Sequence, residues 1–468
     1  MSDEQEYIGN WWLPNDPETI LPGTLIFEPE KGLTLILNGL FHKDQHQFDY
    51  YEIILGSSHE GKLLTLYRCY NIMAEDPKVG KDYTEGVITH PRSTYIIHVG
   101  FEGFHYHSKK DILFNNFIVN FYLLEYWLGY KIVTTRAIFK DNKIKGHEIV
   151  YDLPKICEYN LDEFNVQFGY ALSVNTSIVW KNTKVIPNSY IYFKLKKNIT
   201  LEDILQLVYK IRNFVSLGIG KSVEIVSLTS NLNEKKYGNV IFLFKRGKFS
   251  KKVDTYDIIT MLYRFKEISD NALMYLDNWF KTYNKIEPVL NLFFAIMHLP
   301  NLYPVHEFLS LMQALEAYHS LTFENNVLTV DIFENIGQGF QGIIRSQLPS
   351  PEESHYRAHF YSKIKYMNKK ILRLKLEELF SKYNCIIEIL TRNKNELINK
   401  IVVTRNYYTH YDEKLKGDAL KELDLIPINQ TISCILVGII LKEIGFTNND
   451  TITKVQIFMQ KHGIKADH

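Results

Sequence analysis

Residues 394–411 have the sequence KNELINKIVVTRNYYTHY, and this stretch indicates the kind of fold that the second half of the chain adopts. Its apolar side chains recur at intervals of three and four residues, the pattern of a helix with one buried face. They are Leu397, Ile398, Ile401 and Val402. Arg405 follows Ile398 by seven residues and continues the same face. A guanidinium on an apolar face is costly unless a partner meets it, so this arginine requires an explanation.

The hexapeptide RNYYTH at residues 405–410 combines a cation, an amide and an imidazole. Asn406 and His410 are four residues apart and share a second helix face, so we expect the three groups to converge at the inward end of the helix. Metal-free RNA cleavage requires a group that activates the ribose 2′-hydroxyl for attack on the 3′-phosphate, and a fixed cation on the phosphoryl oxygens. Imidazole and guanidinium supply both. We therefore predict Arg405, Asn406 and His410 as catalytic residues.

One imidazole cannot easily act as base and acid in the same step, so two copies of the motif, facing each other across a homodimer, would complete such a site. The loose pattern of arginine followed by histidine also occurs from Arg92 to His98, in a β-branched stretch that predicts a strand. Only at residues 405–410 does this arginine-to-histidine pattern have an asparagine directly after the arginine and a helical context. The alternative is a helix end at which the motif pairs with Asp412 or Glu413.

The composition of the chain changes near residue 250. Before it, short apolar runs are separated by turns; residues 24–27 and 33–37 flank EPEKG and predict a hairpin. One helix, from Leu201 to about Leu217, interrupts the strands. From about Thr255 the apolar period is helical. We predict an α+β chain with a mainly antiparallel, sandwich-like β domain at 1–250, connecting helices at 251–300 and an all-α bundle at 301–468.

Within the helical part, the pattern predicts two helices at 273–283 and 286–297 and one long helix at 359–383. Breaks are predicted at 300–304, 337–342 and 348–351, where proline or glycine is concentrated.

The chain has 468 residues, a formal charge of +1 and 4 cysteines. This length can bury a large core, and the near-neutral charge means that any nucleic-acid contact must come from local patches.

The cysteines lack zinc-ligand spacing and fit a reducing compartment. No signal peptide is predicted, and the longest apolar run, residues 432–441, is about half a membrane span. We expect a buried core helix there, no membrane contact and a cytoplasmic location.

Residues 357–375 contain basic side chains, interleaved aromatic residues and no acidic residue. On a helix, this stretch could follow a phosphate backbone and stack bases. The alternative is a solvated helix face with ordinary core aromatics. The predicted substrate-binding residues are Arg357, Lys363, Lys365, Lys369, Lys370, Arg373 and, from the motif, Tyr408.

Two further groups of polar residues are candidates for a role in the site. Glu316 lies on a predicted helix at 305–322, which could bring its carboxylate near His410 as an orienting group; the alternative is a surface ion pair. A histidine-rich segment resembles a metal site, but no second carboxylate or cysteine lies close to it in sequence. Its members are His98, Glu102, His105 and His107. We predict no metal and no cofactor.

Two regions of the chain resemble ApeA-type proteins of the HEPN superfamily. The stretches GNWWLP at 9–14, PGTLIF at 22–27 and GLTL at 32–35 are similar to the ApeA N-terminal domain. Residues 311–316 together with 405–410 are similar to the Apea-like HEPN domain and its R-x4-6-H motif. Arg405, Asn406 and His410 match that motif directly.

The resemblance implies a metal-independent endoribonuclease of bacterial anti-phage defence that acts by abortive infection, as a homodimer or higher homo-oligomer. Its substrate would be RNA, with tRNA as one candidate. The N-terminal domain would sense or regulate, and a phage-derived trigger is the expected partner.

Two other functional classes remain open. Some HEPN domains lack activity, so the chain could be a non-catalytic scaffold that binds a phage or host protein; the intact Arg-Asn pair favours the enzyme. The N-terminal aromatic residues could instead form a carbohydrate-binding surface, or they could belong to a hydrophobic core or interdomain contact. These residues are Trp11, Trp12, Phe101 and Phe104.

Overall fold

A computed structural model describes the chain in seven segments. They are residues 4–42, 50–75, 91–176, 183–231, 238–247, 255–299 and 302–465. The chain divides into two compact units. The first comprises residues 1–219, 223–259 and 263–273, and the second comprises residues 220–222, 260–262 and 274–468.

The first unit is built from antiparallel strands. In chain order they are β1 (Gln5–Leu13), β2 (Asp16–Glu28), β3 (Gly32–Leu37), β4 (Tyr50–Ser58), β5 (Leu63–Glu75), β6 (Arg92–Glu102), β7 (Leu113–Phe121), β8 (Val133–Lys140), β9 (Lys143–Tyr151), β10 (Cys157–Asn160), β11 (Phe164–Thr176), β12 (Thr183–Thr200), β13 (Ile225–Asn231) and β14 (Asn239–Phe244). The helices of this unit are α1 (Leu124–Leu128), α2 (Leu201–Ile219), α3 (Thr255–Ile259) and α4 (Phe265–Ile268).

Part of the main sheet closes into a barrel. The strand order is β10-β11-β12-β7-β13-β14-β6-β3-β2-β1-β4-β5, and β5 also pairs with β6, which joins the last six strands into a ring. The α+β class and the antiparallel N-terminal domain are confirmed; the described strands form a barrel extended by further strands, where a sandwich-like domain was predicted. Apolar alternation indicates which face of a strand is buried. Closure depends on the pairing of β5 with β6, which alternation does not encode.

Alternate residues of the barrel strands fill its interior. Tyr7, Trp11 and Leu13 of β1 are buried. The Trp11 indole lies against the backbone of Gly56 in β4, where a Cβ atom would clash with the ring. Phe101 is also fully buried. The core alternative is therefore confirmed for these two aromatic residues, and a carbohydrate-binding surface that includes them is wrong.

The predicted hairpin at 24–37 is also confirmed. Glu28 pairs with Gly32 at the end of β2 and β3, and Gly32 has a φ of +107°, a backbone conformation that side-chain-bearing residues rarely adopt. The predicted helix from Leu201 is α2, which packs against β7 and β12.

The second unit is helical. Its helices are α5 (Ala272–His298), α6 (Pro304–Thr322), α7 (Val330–Gln347), α8 (Ser354–Met367), α9 (Leu372–Lys382), α10 (Asn384–Ile387), α11 (Lys394–His410), α12 (Leu425–Glu443) and α13 (Asn448–Lys461). α12 contacts both α6 and α13, while α6 also contacts α9 and α11. The apolar run at 432–441 is buried in α12, as expected for a core helix.

Residues 422–443 are the one helical stretch in the described segments that is long and apolar enough to cross a membrane, and 61% of its most apolar window is buried within the structure.

Three helix boundaries depart from the sequence pattern. The helices predicted at 273–283 and 286–297 are one helix, α5, with a kink at Ile286, two residues before Pro288. The predicted break at 337–342 does not exist, because α7 continues through its glycines. Gly337 is buried against α8, and a Cβ there would be in ordinary van der Waals contact with Ile364, at 3.5 Å.

The long helix predicted at 359–383 is two helices, α8 and α9. Between them, the Asn368 side chain accepts from the Leu328 N–H at 2.8 Å and donates to the Leu328 carbonyl at 2.9 Å. The Val327 N–H donates to the Asn368 carbonyl. These hydrogen bonds come from a segment about 40 residues earlier in the chain. No proline or glycine marks the break, so the local pattern could not predict it.

A polar cluster joins α6 to α9. His319 is fully buried, and its Nε2 lies 2.7 Å from Glu378 Oε2. Lys370 Nζ donates to the other carboxylate oxygen at 2.5 Å. The Lys370 hydrogen bond, aided by His319 and opposed by desolvation, lowers the pKa of the Glu378 carboxyl below its ordinary value. The ionised carboxylate therefore stabilises the folded state.

We expect Glu378→Gln to lower the melting temperature at pH 7 by a few degrees, and to do so less at acid pH. The folded-state pKa lies below the unfolded value of about 4.3, so the stabilisation is complete above that value and is lost as pH falls through the folded pKa. Thermal unfolding of wild type and variant between pH 7 and pH 3.5 measures this. Glu377→Gln is the control, since no hydrogen bond or ion pair joins Glu377 to any described residue. An equal difference at every pH would contradict the prediction.

Candidate active site

Helix α11 presents the motif at its C-terminal end. The Asn393 side chain caps the start of the helix by accepting from the Glu396 N–H at 3.1 Å. Leu397, Ile398 and Ile401 are buried, as predicted, whereas Val402, the fourth member of the predicted face, is only partly buried. Tyr411 has a φ of +51°, a left-handed conformation that ends the helix directly after His410. The motif histidine is therefore the last helical residue.

Arg405 is held by a bidentate ion pair with Glu316 of α6. Its Nε lies 3.0 Å from Glu316 Oε1, and its Nη2 lies 3.3 Å from Oε2. The two side chains are 26% and 25% exposed, so water reaches the pair. Glu316 is thus the partner that the arginine on the apolar face requires. A bidentate contact fixes the plane of the guanidinium as well as its position.

The Glu316 carboxylate contacts Arg405 and not His410, so the expected orienting role toward the imidazole is corrected. α6 contacts α11, and Arg405 lies on the side of α11 that meets Glu316 of α6. His410 follows five residues after Arg405, which places it about 140° further around the helix axis.

The three motif side chains do not converge within one chain. Asn406 Oδ1 lies 3.5 Å from Arg405 Nη1, at the limit of a hydrogen bond. His410 is exposed, and no described residue forms a hydrogen bond or ion pair with its ring. The alternative pairing with neighbouring carboxylates is not formed either. Glu413 pairs with Lys416, and Asp412 accepts from a backbone N–H.

A groove of about 500 Å³ lies beside Arg405. One face of α6 forms most of its lining, with apolar Leu309, Met312 and Ala317 and polar Gln313, Glu316 and Ser320. α9 contributes Lys375, and α11 contributes Arg405 and Thr409. Neither Asn406 nor His410 lines this groove. The arginine of the motif therefore faces a solvent-accessible cavity, whereas its histidine faces solvent elsewhere.

The predicted substrate-binding residues do not form one surface, because the stretch 357–375 is divided between α8 and α9. Several of them bind protein groups. Arg357 donates to the carbonyls of Leu348 and Ser350, Lys369 to Asn326, Lys370 to Glu378, and Arg373 to Asn399. Lys363 and Lys365 are exposed on α8. Apart from Lys363 and Lys365, the charged groups of these basic residues therefore bind other parts of the protein.

Tyr408 also has a structural contact. Its hydroxyl donates to the Leu420 carbonyl at 3.0 Å, and Thr404 Oγ1 accepts from the Leu420 N–H at 3.1 Å. These two side chains, one helical turn apart, hold the segment after α11 against the helix. Lys375, the last cation of the basic stretch, is not among the predicted substrate-binding residues, but it lines the groove with Arg405.

Among the described residues, no group of three or more His, Cys, Asp or Glu side chains could hold a metal ion. In the histidine-rich segment after β6, His105 Nε2 lies 2.8 Å from the Gly56 carbonyl oxygen. Burial lowers the pKa of His105.

The chain matches two protein-family models. ApeA N-terminal domain 1 matches residues 6–279, and Apea-like HEPN matches residues 309–450. Comparison with curated proteins and with solved structures finds no match. The HEPN match includes Glu316, Arg405 and His410, and HEPN domains are in general ribonuclease domains. Because the first model alone matches more than half of the chain, and the second follows it in the expected order, the chain belongs to the ApeA-type HEPN-domain proteins of anti-phage defence.

Proposed function

We propose that this protein is a metal-independent endoribonuclease and an effector of abortive infection. The observation that carries the proposal is the ion pair of Glu316 with Arg405 beside an accessible groove, on a helix that ends with an exposed His410. It lies within the Apea-like HEPN domain. Cleavage of cellular RNA, with tRNA as one candidate, would stop growth of an infected bacterium.

The proposed reaction forms one bond and breaks one. His410 accepts the proton of a ribose 2′-hydroxyl, whose oxygen then attacks the adjacent 3′-phosphorus. The bond from phosphorus to the 5′-oxygen breaks, and that oxygen takes a proton from a second imidazole. The products are a 2′,3′-cyclic phosphate and a 5′-hydroxyl. Arg405 would stabilise the charge that accumulates on the non-bridging oxygens.

The ion pair leaves part of the arginine available. Glu316 occupies Nε and Nη2, whereas Nη1 faces Asn406 Oδ1 at the longer distance of 3.5 Å. A phosphate oxygen could therefore accept from Nη1 while Glu316 continues to hold the guanidinium. Asn406, beside this nitrogen, would help to position the phosphate.

We propose that the active form is a homodimer or a higher homo-oligomer. Arg405 and His410 are separated by about 140° around α11 and about 7.5 Å along it, so one chain does not direct both groups to the same phosphate. Two motif helices brought together would supply the second imidazole. The N-terminal unit would sense a phage-derived trigger in the cytoplasm.

The reaction products test the proposal. Purified full-length protein is incubated with total RNA in the presence of EDTA, and the new ends are sequenced. We expect cleavage to persist, with 2′,3′-cyclic phosphate and 5′-hydroxyl ends. Cleavage that EDTA abolishes and added metal restores, or ends with a 3′-hydroxyl, would overturn the mechanism.

A non-catalytic scaffold is the second candidate, and one observation favours it. Helix α7 exposes an apolar stripe at helical spacing that is typical of protein-binding surfaces. Its members are Ile332, Ile336, Phe340 and Ile343, which are 39–62% exposed. Such a scaffold would bind a phage or host protein and produce no new RNA ends.

A further inference from the structure

We propose that Lys375 is a second phosphate-binding residue of the groove, and that the groove accepts single-stranded RNA with two consecutive phosphates on Arg405 and Lys375. This inference rests on the function proposed above. Lys375 would be a binding residue in addition to Arg405, and the RNA strand would lie along the groove beside the motif.

The charges of the groove single out Lys375. Three charged side chains line the groove: Glu316, Arg405 and Lys375. Glu316 and Arg405 form an ion pair and together contribute no net charge. Lys375 is not within ion-pair distance of any described carboxylate; its Nζ instead donates to Ser320 Oγ at 3.0 Å. The lysine therefore gives the groove its net positive charge, which attracts a polyanion.

The spacing of the two cations suits a nucleic-acid strand. Arg405 is bound to Glu316, and Lys375 is bound to Ser320. These two anchors are four residues apart on the same face of α6, a separation of about 6 Å along the helix axis. Neighbouring phosphates of an extended single strand have a comparable separation. The two cations can therefore contact successive phosphates along the groove.

The remaining lining suits unpaired bases. The side chains of Leu309 and Ala317 offer an apolar surface for the face of a base, and the Gln313 amide offers both a donor and an acceptor to its edge. The volume of about 500 Å³ is of the size that small-molecule ligands occupy, and it accommodates only a short piece of strand. Bases that are paired in a duplex could not enter, so we infer a single-stranded substrate.

The other cations of the basic stretch do not share this position. Lys370 and Arg373, its nearest basic neighbours in α9 and the preceding turn, bind Glu378 and Asn399. Lys465, after α13, is exposed in the same unit and does not line the groove. Lys465 is therefore a matched control, because its removal subtracts the same charge from a position outside the predicted binding residues.

The test compares a dinucleotide with one phosphate and a trinucleotide with two. Both carry 2′-O-methyl riboses, so the 2′-oxygen cannot attack. Their dissociation constants are measured by calorimetry with wild type, Lys375→Gln, Lys375→Arg and Lys465→Gln.

We expect wild type to bind the trinucleotide about tenfold more tightly, the effect of one charge-assisted hydrogen bond and more than the twofold that two binding positions alone provide. Lys375→Gln should reduce this advantage to about twofold, with the dinucleotide bound nearly as in wild type. Lys375→Arg and Lys465→Gln should keep the advantage.

Three results would overturn the proposal: no advantage of the trinucleotide in wild type, an unchanged advantage in Lys375→Gln, or an equal loss for both ligands in that variant. The measurement does not depend on cleavage. If RNA is cleaved and Lys375 has no effect on the advantage, this inference alone fails. If Lys375 has the expected effect and RNA is never cleaved, the enzymatic proposal fails and a strand-binding groove remains.

Discussion

Replacing His410 with alanine is expected to abolish RNA cleavage and to leave the stability of the protein unchanged. The imidazole is exposed at the end of α11, and no described residue is hydrogen-bonded or ion-paired to it. Removing it therefore creates no cavity and no unsatisfied partner, and surface changes of this kind alter the free energy of unfolding by at most about 0.5 kcal/mol.

The effect on the reaction should be large, because general acid–base catalysis contributes about 10²- to 10⁴-fold to a rate. We expect a loss within that range in single-turnover cleavage, together with a melting temperature within about one degree of wild type. Expression that is toxic with wild type should be tolerated with the variant.

The matched control for His410→Ala is His359→Ala, which removes an exposed histidine from α8, outside the groove. It should retain full activity. Undiminished cleavage by His410→Ala would show that the imidazole is not the catalytic base, and the assignment of the motif would then be wrong.

Arg405 is expected to be irreplaceable even by lysine. Both Glu316 oxygens contact the guanidinium, through Nε and Nη2. A lysine carries the same charge on a single nitrogen, so it cannot retain this bidentate contact while also presenting a separate donor to phosphate. We expect Arg405→Lys to reduce kcat by about 10²- to 10³-fold, nearly as much as Arg405→Ala, since a fixed donor to the developing charge is lost in both.

The Glu316→Gln variant tests the orientation of the Arg405 guanidinium separately from its charge. The variant leaves Arg405 in place but loosens its orientation, so we expect kcat to fall by about tenfold. It also raises the net charge of the groove by one unit, so KM should stay the same or decrease. A purely structural role for Glu316 would not produce this division between kcat and KM.

Arg392→Ala is the control for the arginine variants, because Arg392 is exposed in the turn before α11 and does not line the groove. It should be fully active. Wild-type kinetics in Arg405→Lys would show that a positive charge alone suffices and that the bidentate contact with Glu316 is not needed.

Patterns that extend over a few neighbouring residues predicted most of the secondary structure. The hairpin of β2 and β3, the start of α2 at Leu201 and the end of α11 near His410 all follow from local periodicity and turn chemistry. The conformation of such segments depends mainly on their own residues. The same local information identified the RNYYTH motif and the family to which the chain belongs.

Most contacts between distant segments were not predicted, because a periodic pattern shows that a face is buried but not what buries it. The break between α8 and α9 is stabilised by hydrogen bonds from a segment about 40 residues away, and glycines that commonly end helices instead lie within α7. Closure of the barrel through β5 and β6 is a further example.

The same distinction between local and long-range information applies to the candidate site. That Arg405 needs a partner follows from its position on an apolar helix face, since a charge there must be neutralised. That the partner is Glu316, that Lys375 lines the same groove, and that His410 lies outside it follow from how α6, α9 and α11 pack together. Residues from three helices meet there, and their separations in space depend on packing rather than on their spacing along the chain.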